Sequence, residues 1–459
     1  MVRNSNRTRA GLRIALAGAL AMALGAGLPA QALAKEAAAA KYSEKFIPVF
    51  QAAQKAMAVA KARPEVVAGE AKIKAATTRD AQAAAVAELG ALLKGEQETI
   101  DKVVAAAQTP DDKYVGGQIY LQFGGIAADP TIQAKALVMM LDSGKTPAGD
   151  AGKFNFYAGS ISYDNKDYAA AIRLLGAAIA AGYKQNQAEL LLADSYFRSA
   201  KVADGAAALA KALDEHVAAG APAPDEWYRI GLNAVYRAKL APQSLDIGSR
   251  FVAAYPKPEY WGAVISIVRD LGAFAPSDTL DLMRLMGRTH SYAEKQDYFE
   301  HVADVDPRKA PAEALAVIAE AMASGKVDAG NSFLAEAKQT ASSRIAADRA
   351  SLPALDRDAR APAASLVLTM AAADAFLSYA DYGKAIDFYK LALAKPGADA
   401  SRVNLRMGIA QIDSGDVAGA LASFAKVDGP RKPIAVLWST YAKSKAAPAA
   451  APAAAAPAK

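Results

Sequence analysis

The residues best suited to chemistry in this sequence are few, and one group of them shares a helical spacing. The chain has 459 residues with only three histidines and no cysteine, which excludes disulfides, thiolate metal sites and thiol nucleophiles. On one continuous helix, two imidazoles and two carboxylates would lie on the same face and could bind a divalent metal; they belong to His290, Glu294, Asp297 and His301. However, Ser291 and Glu294 have the spacing of a capping box, which would start the helix at Ser291 and leave His290 outside it. We therefore predict a solvated helix face here and no metal site.

The motifs of common catalytic sites do not occur in the sequence. It contains no Gly-x-Ser-x-Gly elbow, no His-Glu-x-x-His pair and no Gly-rich loop in the context that binds phosphate. Helix ends or close helix contacts explain Gly116-Gly117 and Gly124-Gly125 better than a nucleotide loop does. Adjacent acidic pairs such as Asp111-Asp112 point to different sides of a helix. We predict that the chain is not an enzyme and binds no cofactor.

The elements that must position any site are helices. From Lys35 to the 440s, apolar residues recur at spacings of three and four, and alternating runs rich in Val, Ile and Thr are scarce. Turn signals fall between the periodic stretches, and Asp129-Pro130 has the form of a helix start, with Asp as the cap and Pro at the first helical position. The pattern predicts an all-α fold.

An internal repeat of 34 to 35 residues organises these helices. Each unit has a small residue on its first helix, a small residue on its second helix, and a large residue four positions later. The first set is Gly159, Ala193, Gly231, Ala373 and Gly408, the second is Ala171, Gly205, Ala385 and Ala420, and the third is Leu175, Leu209, Tyr389 and Phe424. Small residues would let the two helices approach, and the large ones would fill the space between successive pairs.

These residues resemble the tetratricopeptide repeat family, whose unit is a helix–turn–helix of 34 residues. The resemblance covers residues 154–214, 225–255 and 369–428. It implies an α-solenoid of antiparallel helix pairs that winds into a right-handed superhelix. It also implies that the first helices line a concave groove, which binds extended peptides or partner helices.

The repeat pattern divides the chain after residue 34 into six segments. They are a helical region of divergent repeats or a cap at 35–148, repeats at 149–255, degenerate helix pairs at 256–361, repeats at 362–430, a C-terminal helical cap at 431–445, and a disordered Ala/Pro tail at 446–459.

Residues 1–34 have the features of a cleavable signal peptide. Four arginines precede an apolar run from Ile14 to Leu28, and Ala32-Leu33-Ala34 matches the small-x-small cleavage site. The apolar run is too short to span a bilayer comfortably, and no later stretch reads as a membrane span. We predict cleavage after Ala34, a periplasmic location and no transmembrane segment in the mature chain; the alternative is an uncleaved N-terminal anchor.

The family frame places aromatic and charged side chains in the groove. They are Phe156, Tyr163, Asp194, Phe197, Arg198, Tyr228, Arg229, Asn233 and Tyr236. Such residues suit recognition of an amphipathic segment, although some of them would alternatively pack between repeats. We predict a non-catalytic interaction scaffold with a protein or peptide partner. The alternative is an accessory or polysaccharide-binding component of cell-envelope assembly or export machinery, whose groove would contact glycan.

The net charge of +6 does not indicate nucleic-acid binding. Four of the 53 basic residues lie in the predicted signal peptide and three in residues 443–459, which leaves 46 basic and 47 acidic residues between them. The body of the chain is therefore almost neutral, and we predict no nucleic-acid partner.

Overall fold

A computed structural model of the chain describes residues 41–328 and 330–446. The predicted signal peptide at 1–34 lies outside the described residues, as does the predicted tail from residue 447 onward. The described residues contain no β-strand, and consecutive helices pack as pairs, which confirms the predicted all-α solenoid type of fold. The chain divides into two compact units, one ending at Ala212 and the other beginning at Leu213.

The helices are numbered here in chain order. Those that begin in the first unit are α1 (Phe46–Ala62), α2 (Pro64–Ala75), α3 (Arg79–Leu92), α4 (Lys94–Ala106), α5 (Pro110–Ile126), α6 (Pro130–Asp142), α7 (Ala148–Asp164), α8 (Tyr168–Ala180), α9 (Ala188–Arg198) and α10 (Val202–Ala218). Those of the second unit are α11 (Asp225–Arg237), α12 (Ala241–Ala254), α13 (Pro258–Leu271), α14 (Pro276–Arg288), α15 (Lys295–Val305), α16 (Pro311–Ala323), α17 (Ser332–Arg360), α18 (Leu366–Ser378), α19 (Tyr382–Leu393), α20 (Ala400–Asp413), α21 (Val417–Phe424) and α22 (Lys432–Ala446).

The turn inside each helix pair has a recurring backbone geometry. After α7 the residue Lys166 has a φ of 64°, and the N–H of Asp167 donates to the carbonyl of Ser162 at 2.9 Å. This is the Schellman arrangement that ends a helix. Asp167 then caps α8, because its side chain accepts from the N–H of Ala170. The same geometry ends α18 and α20, where Asp381 and Asp416 are the caps.

Small residues bring the helices of a pair together, as the repeat pattern predicted. A Cβ added at Gly159 would lie 2.9 Å from Leu175 Cγ, and one at Gly408 would lie 2.4 Å from the ring of Phe424. These distances are well below ordinary van der Waals contact, so only glycine fits at this separation. Leu175 and Phe424 are buried, which confirms their predicted packing role.

The first four helices of the first unit do not pair in sequence order. Helix α1 packs on α4 and α5, whereas α2 packs on α3. The α2–α3 hairpin is therefore inserted in the sequence between the packed helices α1 and α4. Phe46 and Phe123 are fully buried in the common core. Gly116, on α5, allows this approach, since a Cβ there would lie 3.0 Å from Val103 and 3.4 Å from Phe46. The interpretation of the two glycine pairs as close helix contacts or helix ends is confirmed, since Gly116, Gly117 and Gly124 lie at close contacts and Gly125 is the penultimate residue of α5.

The second unit departs from the nearest-neighbour packing of a simple stack. Its last helix, α22, packs on α12 and α14, which precede it by more than 140 residues. The indole Nε1 of Trp438 donates to the carbonyl of Asp281 at 2.9 Å, and Arg406 donates to the carboxylate of Asp281 at 3.3 Å. The C-terminal pairs of this unit therefore close back onto its earlier helices, which the repeat pattern did not predict.

Candidate binding surface

Three of the predicted groove residues, Phe156, Tyr228 and Asp194, are buried, and the two aromatic ones are unavailable to a partner. Phe156 is 0% exposed and stacks on Tyr183 with 4.7 Å between ring centroids, and Tyr228 is 1% exposed and packs near Tyr255 at 5.9 Å. In both repeats, a tyrosine located 27 residues later, just after the second helix, covers the aromatic residue of the first helix. The placement of Phe156 and Tyr228 on an open groove is therefore corrected, and both rings hold a first helix against the end of its partner.

Phe197 also has a packing role. Its half-buried ring lies against Gly205, where an added Cβ would come within 2.6 Å of two ring atoms. The glycine on α10 provides the space that this ring fills. Phe197 thus joins the two helices of its own pair.

Tyr163, Asp194 and Arg198 form one cluster in the first unit. The hydroxyl of Tyr163, on α7, donates to the carboxylate of Asp194, on α9. Arg198 donates from Nε to Asp194 at 2.8 Å and to the hydroxyl of Tyr163 at 2.9 Å, and its guanidinium lies 5.5 Å from the Tyr163 ring centroid. The cluster joins two consecutive first helices, and the Arg198 side chain remains 39% exposed.

An equivalent arrangement connects α11 and α13 in the second unit. The hydroxyl of Tyr236 donates to Asp270 at 3.0 Å, and Lys239 binds the same carboxylate at 3.1 Å. At the other end of the two helices, the hydroxyl of Tyr260 donates to Asp225 at 2.6 Å. The pKa of Tyr260 is raised, mainly because its hydroxyl donates to this carboxylate.

The two remaining predicted residues lie between these contacts on α11. Arg229 lies 3.6 Å from Asp225, and its side chain is 57% exposed. Asn233, one helical turn later, is also exposed. Both side chains lie on a first helix, as predicted, and both are accessible to a partner.

These bridges are spaced by one repeat. Their sequence separations run from 31 to 35 residues in the pairs Tyr163–Asp194, Asp225–Tyr260, Tyr236–Asp270, Arg269–Glu300, Asp348–Tyr379, Asp374–Arg406 and Asp399–Arg431. Sequence reasoning identified Tyr163, Tyr236 and Asp194, but it missed Asp270 and the other residue pairs of this set. An acid and a tyrosine or arginine separated by one repeat period would have been the signal.

An open cleft of about 730 Å³ lies beside the C-terminal half of α17. Its cationic side chains are Arg349, Arg357, Arg360 and Lys384, and its acidic ones are Asp356 and Asp381. The aliphatic and aromatic lining residues are Leu352, Pro353, Phe376 and Tyr379. The sequence interpretation described this region only as degenerate helix pairs. The spacing of Arg349, Asp356 and Arg360, at i, i+7 and i+11, was the signal that it missed.

As expected, His290 does not share a helix with Glu294, Asp297 and His301, although the cap differs from the expected one. The predicted solvated face is wrong, because Asp297 and His301 are buried. Glu294, and not Ser291, caps α15, in a capping box with Asp297. His290 precedes the helix with a φ of 51°, and His301 is buried, with Nδ1 at 2.5 Å from the hydroxyl of Tyr292. Glu294 is the N-cap in place of Ser291 because its side chain accepts a hydrogen bond from the N3 backbone N–H, while the Asp297 side chain accepts one from the backbone N–H of Glu294. Among residues 41–328 and 330–446, no three acidic or histidine side chains are grouped as metal ligands.

A buried ionic network occupies the core of the second unit. Arg284 binds Glu313 through two nitrogens at 2.7 and 2.8 Å and binds Asp281 at 2.8 Å. Burial by itself would raise the pKa of Glu313, but the guanidinium of Arg284 lowers it well below its usual range. The side chains of Asp281 and Arg284 are almost completely buried, so the network is inaccessible and we assign it a structural role.

No helix in the described part of the chain combines the length and the hydrophobicity needed to cross a bilayer.

Comparisons with known proteins give no family assignment. No protein-family model matches the chain, and neither does any curated protein. Among solved structures, the chain is similar to one in a structure of Naa15/Naa10 bound to HypK-THB, with 12% identity and a TM-score of 0.33. That alignment covers 87% of this chain and 63% of the other, so this chain spans less than two thirds of the length of the similar chain. A second similarity is to the APC/C hetero-tetramer Cut9–Hcn1, with 10% identity, a TM-score of 0.16, and coverage of 76% and 86%.

Proposed function

We propose that the chain is a non-catalytic interaction scaffold that binds a peptide or a partner protein on its first helices. The observation that carries the proposal is the set of repeat-spaced bridges between consecutive first helices within each unit. These bridges leave Arg198 exposed over the ring of Tyr163, and Arg229 and Asn233 exposed on α11 between two tyrosine–carboxylate bridges. Such a surface combines large aromatic contact area with fixed polar groups.

The bridges bear on binding because they order the surface before a partner arrives. Tyr163 and Arg198 already share the carboxylate of Asp194, so each loses less rotamer freedom on binding than an unbridged side chain would. Exposed charges at fixed positions also favour one register of the partner over others. A series of preorganised side chains on consecutive first helices is suited to binding an extended segment or a helix at several points along its length.

The proposal places the scaffold in the periplasm. Its basis is the amino-terminal sequence, in which four arginines, an apolar run and Ala32-Leu33-Ala34 have the order of a signal peptide. Amino-terminal sequencing of the protein recovered from a periplasmic extract tests it. We expect the mature chain to begin at Lys35, and an intact Met1 in a membrane fraction would contradict this location.

Site-specific photo-crosslinking in intact cells tests the binding surface. A photoreactive amino acid replaces Asn233, which is exposed on a first helix, or Lys390, which is exposed on the second helix α19. We expect position 233 to capture one defined protein in successive experiments and position 390 to capture none. Capture of the same proteins from both positions, or no capture from position 233, would contradict binding on the first helices.

A further inference from the structure

We infer that the cleft beside α17 binds a short acidic segment of a partner protein. The inference rests on the proposed scaffold function and adds the chemistry of the partner. The cleft, as defined above, presents four cationic and two acidic side chains, so its lining has an excess of positive charge although the body of the chain is nearly neutral. Charge complementarity therefore favours an anionic occupant.

The cations of the cleft are held on aromatic rings. The guanidinium of Arg349 lies 5.6 Å from the Tyr379 ring centroid, and the ammonium of Lys384 lies 4.8 Å from that of Phe376. A third cation, Arg360, lies 4.6 Å from the ring centroid of Phe388. Cation–π contacts restrain these long side chains while leaving their hydrogen-bond donors available.

One carboxylate already shows what the cleft can bind. Asp356 accepts from Arg360 at 2.5 Å and lies 3.1 Å from the ammonium of Lys384. The hydrogen bond from Arg360 lowers the pKa of Asp356, so the ionised carboxylate is the favoured form. Asp356 therefore occupies two of the cations in the absence of a partner. Asp387 lies 4.0 Å from Arg360 and Asp381 lies 3.9 Å from Lys384, so an incoming carboxylate would compete mainly with Asp356 and more weakly with these two.

The other two cations are more available. Within the described residues, no carboxylate lies at salt-bridge distance from Arg349, which contacts the Tyr379 ring and is exposed. Arg357 binds the neighbouring Asp358 at 2.9 Å, and its side chain is 75% exposed. Guanidinium groups bind carboxylates through two parallel hydrogen bonds, which makes an acidic side chain the best-matched ligand.

The size of the cleft sets the length of the segment. From Arg349 to Arg360 the helix rises by about 16 Å, which an extended chain spans with about five residues. An acidic polysaccharide also carries carboxylates, but sugar rings bind by stacking on open aromatic faces. In this cleft Phe376 is only 2% exposed and a cation lies over Tyr379, so the geometry favours a peptide.

The test is binding of rhodamine-labelled hexaglutamate to the full chain, measured by fluorescence anisotropy with hexaglutamine and hexagalacturonate as competitors. We expect the double variant Arg349→Gln/Arg357→Gln to bind about tenfold more weakly. The matched control, Lys338→Gln/Arg344→Gln, removes two exposed charges from the same helix outside the cleft, and we expect less than about a twofold effect. An equal loss in both double variants would overturn the inference.

A variant that is expected to bind hexaglutamate more tightly distinguishes a change in the cleft from general damage to the fold. Asp356→Asn removes the nearest carboxylate from Arg360 and Lys384, which keep only longer contacts with Asp387 at 4.0 Å and Asp381 at 3.9 Å, and it should tighten hexaglutamate binding about threefold. Glu336→Gln, exposed on the same helix, should leave binding unchanged. Unchanged or weaker binding by Asp356→Asn, or stronger competition by hexaglutamine or hexagalacturonate than by unlabelled hexaglutamate, would overturn the inference. Failure of these tests alongside specific crosslinking at Asn233 would remove the acidic segment and leave the scaffold proposal standing.

Discussion

Gly117 lies at the closest contact between α5 and α6, and we predict that Gly117→Ala destabilises the first unit. An added Cβ would lie 2.4 Å from Met140 Cγ, 3.0 Å from the carbonyl oxygen of Ala136 and 3.3 Å from the backbone nitrogen of Met140. Carbon atoms normally approach to about 3.5–4.0 Å. Because two of the three contacts are with backbone atoms, rotation of the Met140 side chain cannot relieve them, and α6 must shift.

The magnitude follows from two opposing effects. Overpacking a tight helix contact costs about 1–3 kcal/mol, and alanine in place of glycine in a helix contributes up to about 1 kcal/mol of stability. The expected net loss is therefore about 1–2 kcal/mol. Gly125, on the same helix, has no atom within 4 Å of an added Cβ. Gly125→Ala should consequently stabilise the protein, by about 0.5 kcal/mol.

Urea denaturation followed by circular dichroism at 222 nm compares the two variants with the natural chain. Hydrogen exchange of peptides from residues 110–142 locates the effect, and exchange should be faster there in Gly117→Ala. The reasoning would be refuted if Gly117→Ala were as stable as the natural chain, or if Gly125→Ala lost as much stability as Gly117→Ala. Either outcome would mean that helix propensity, and not the α5–α6 separation, governs glycine at these positions.

Three further predictions concern the ionic network, a helix end and a bridge. Glu313→Gln removes the buried carboxylate that binds Arg284 and should cost about 3–5 kcal/mol of unfolding free energy at pH 7. Because the pKa of Glu313 is lower in the folded than in the unfolded chain, this contribution is present above about pH 4.3 and is lost as the pH falls further. Chemical denaturation should therefore give a smaller difference between the variant and the natural chain at pH 3 than at pH 7. Ala380→Gly should raise the thermal midpoint by relieving a φ of 59°, equivalent to about 0.5 kcal/mol, whereas Ala371→Gly inside α18 should lower it. Tyr163→Phe should cost about 1 kcal/mol in urea denaturation, and a similar loss in the Asp194→Ala background would show that their hydrogen bond is not the cause.

The sequence by itself determined the local elements. Helical periodicity, the cap at Asp129, and the small residues Gly159 and Gly408 were all predicted, because each depends on residues close in the chain or on one repeat period. The identity of the first helices followed from the same pattern. It also placed Arg229 and Asn233 on an accessible part of α11.

Only the tertiary structure decided which side chains of a first helix remain open. Phe156 and Tyr228 have the spacing of surface residues, yet Tyr183 and Tyr255 cover them from the loop after the second helix. The direction of a loop side chain is not encoded in helical periodicity. Phe197 was also placed on the surface, although its ring, on α9, fills the space beside Gly205 on α10.

The closure of the second unit and its cleft also required the folded chain. Asp281 binds Arg406 from 125 residues away, and this ion pair forms only when the packed core brings the two groups together, because their attraction must offset the cost of removing both charges from water. Likewise, Arg349 and Lys384 form one charged surface only because α17 lies beside α18 and α19. Periodicity therefore defines the helices and the faces they pair, whereas the charged and aromatic groups that a partner would meet are set by contacts between residues distant in sequence.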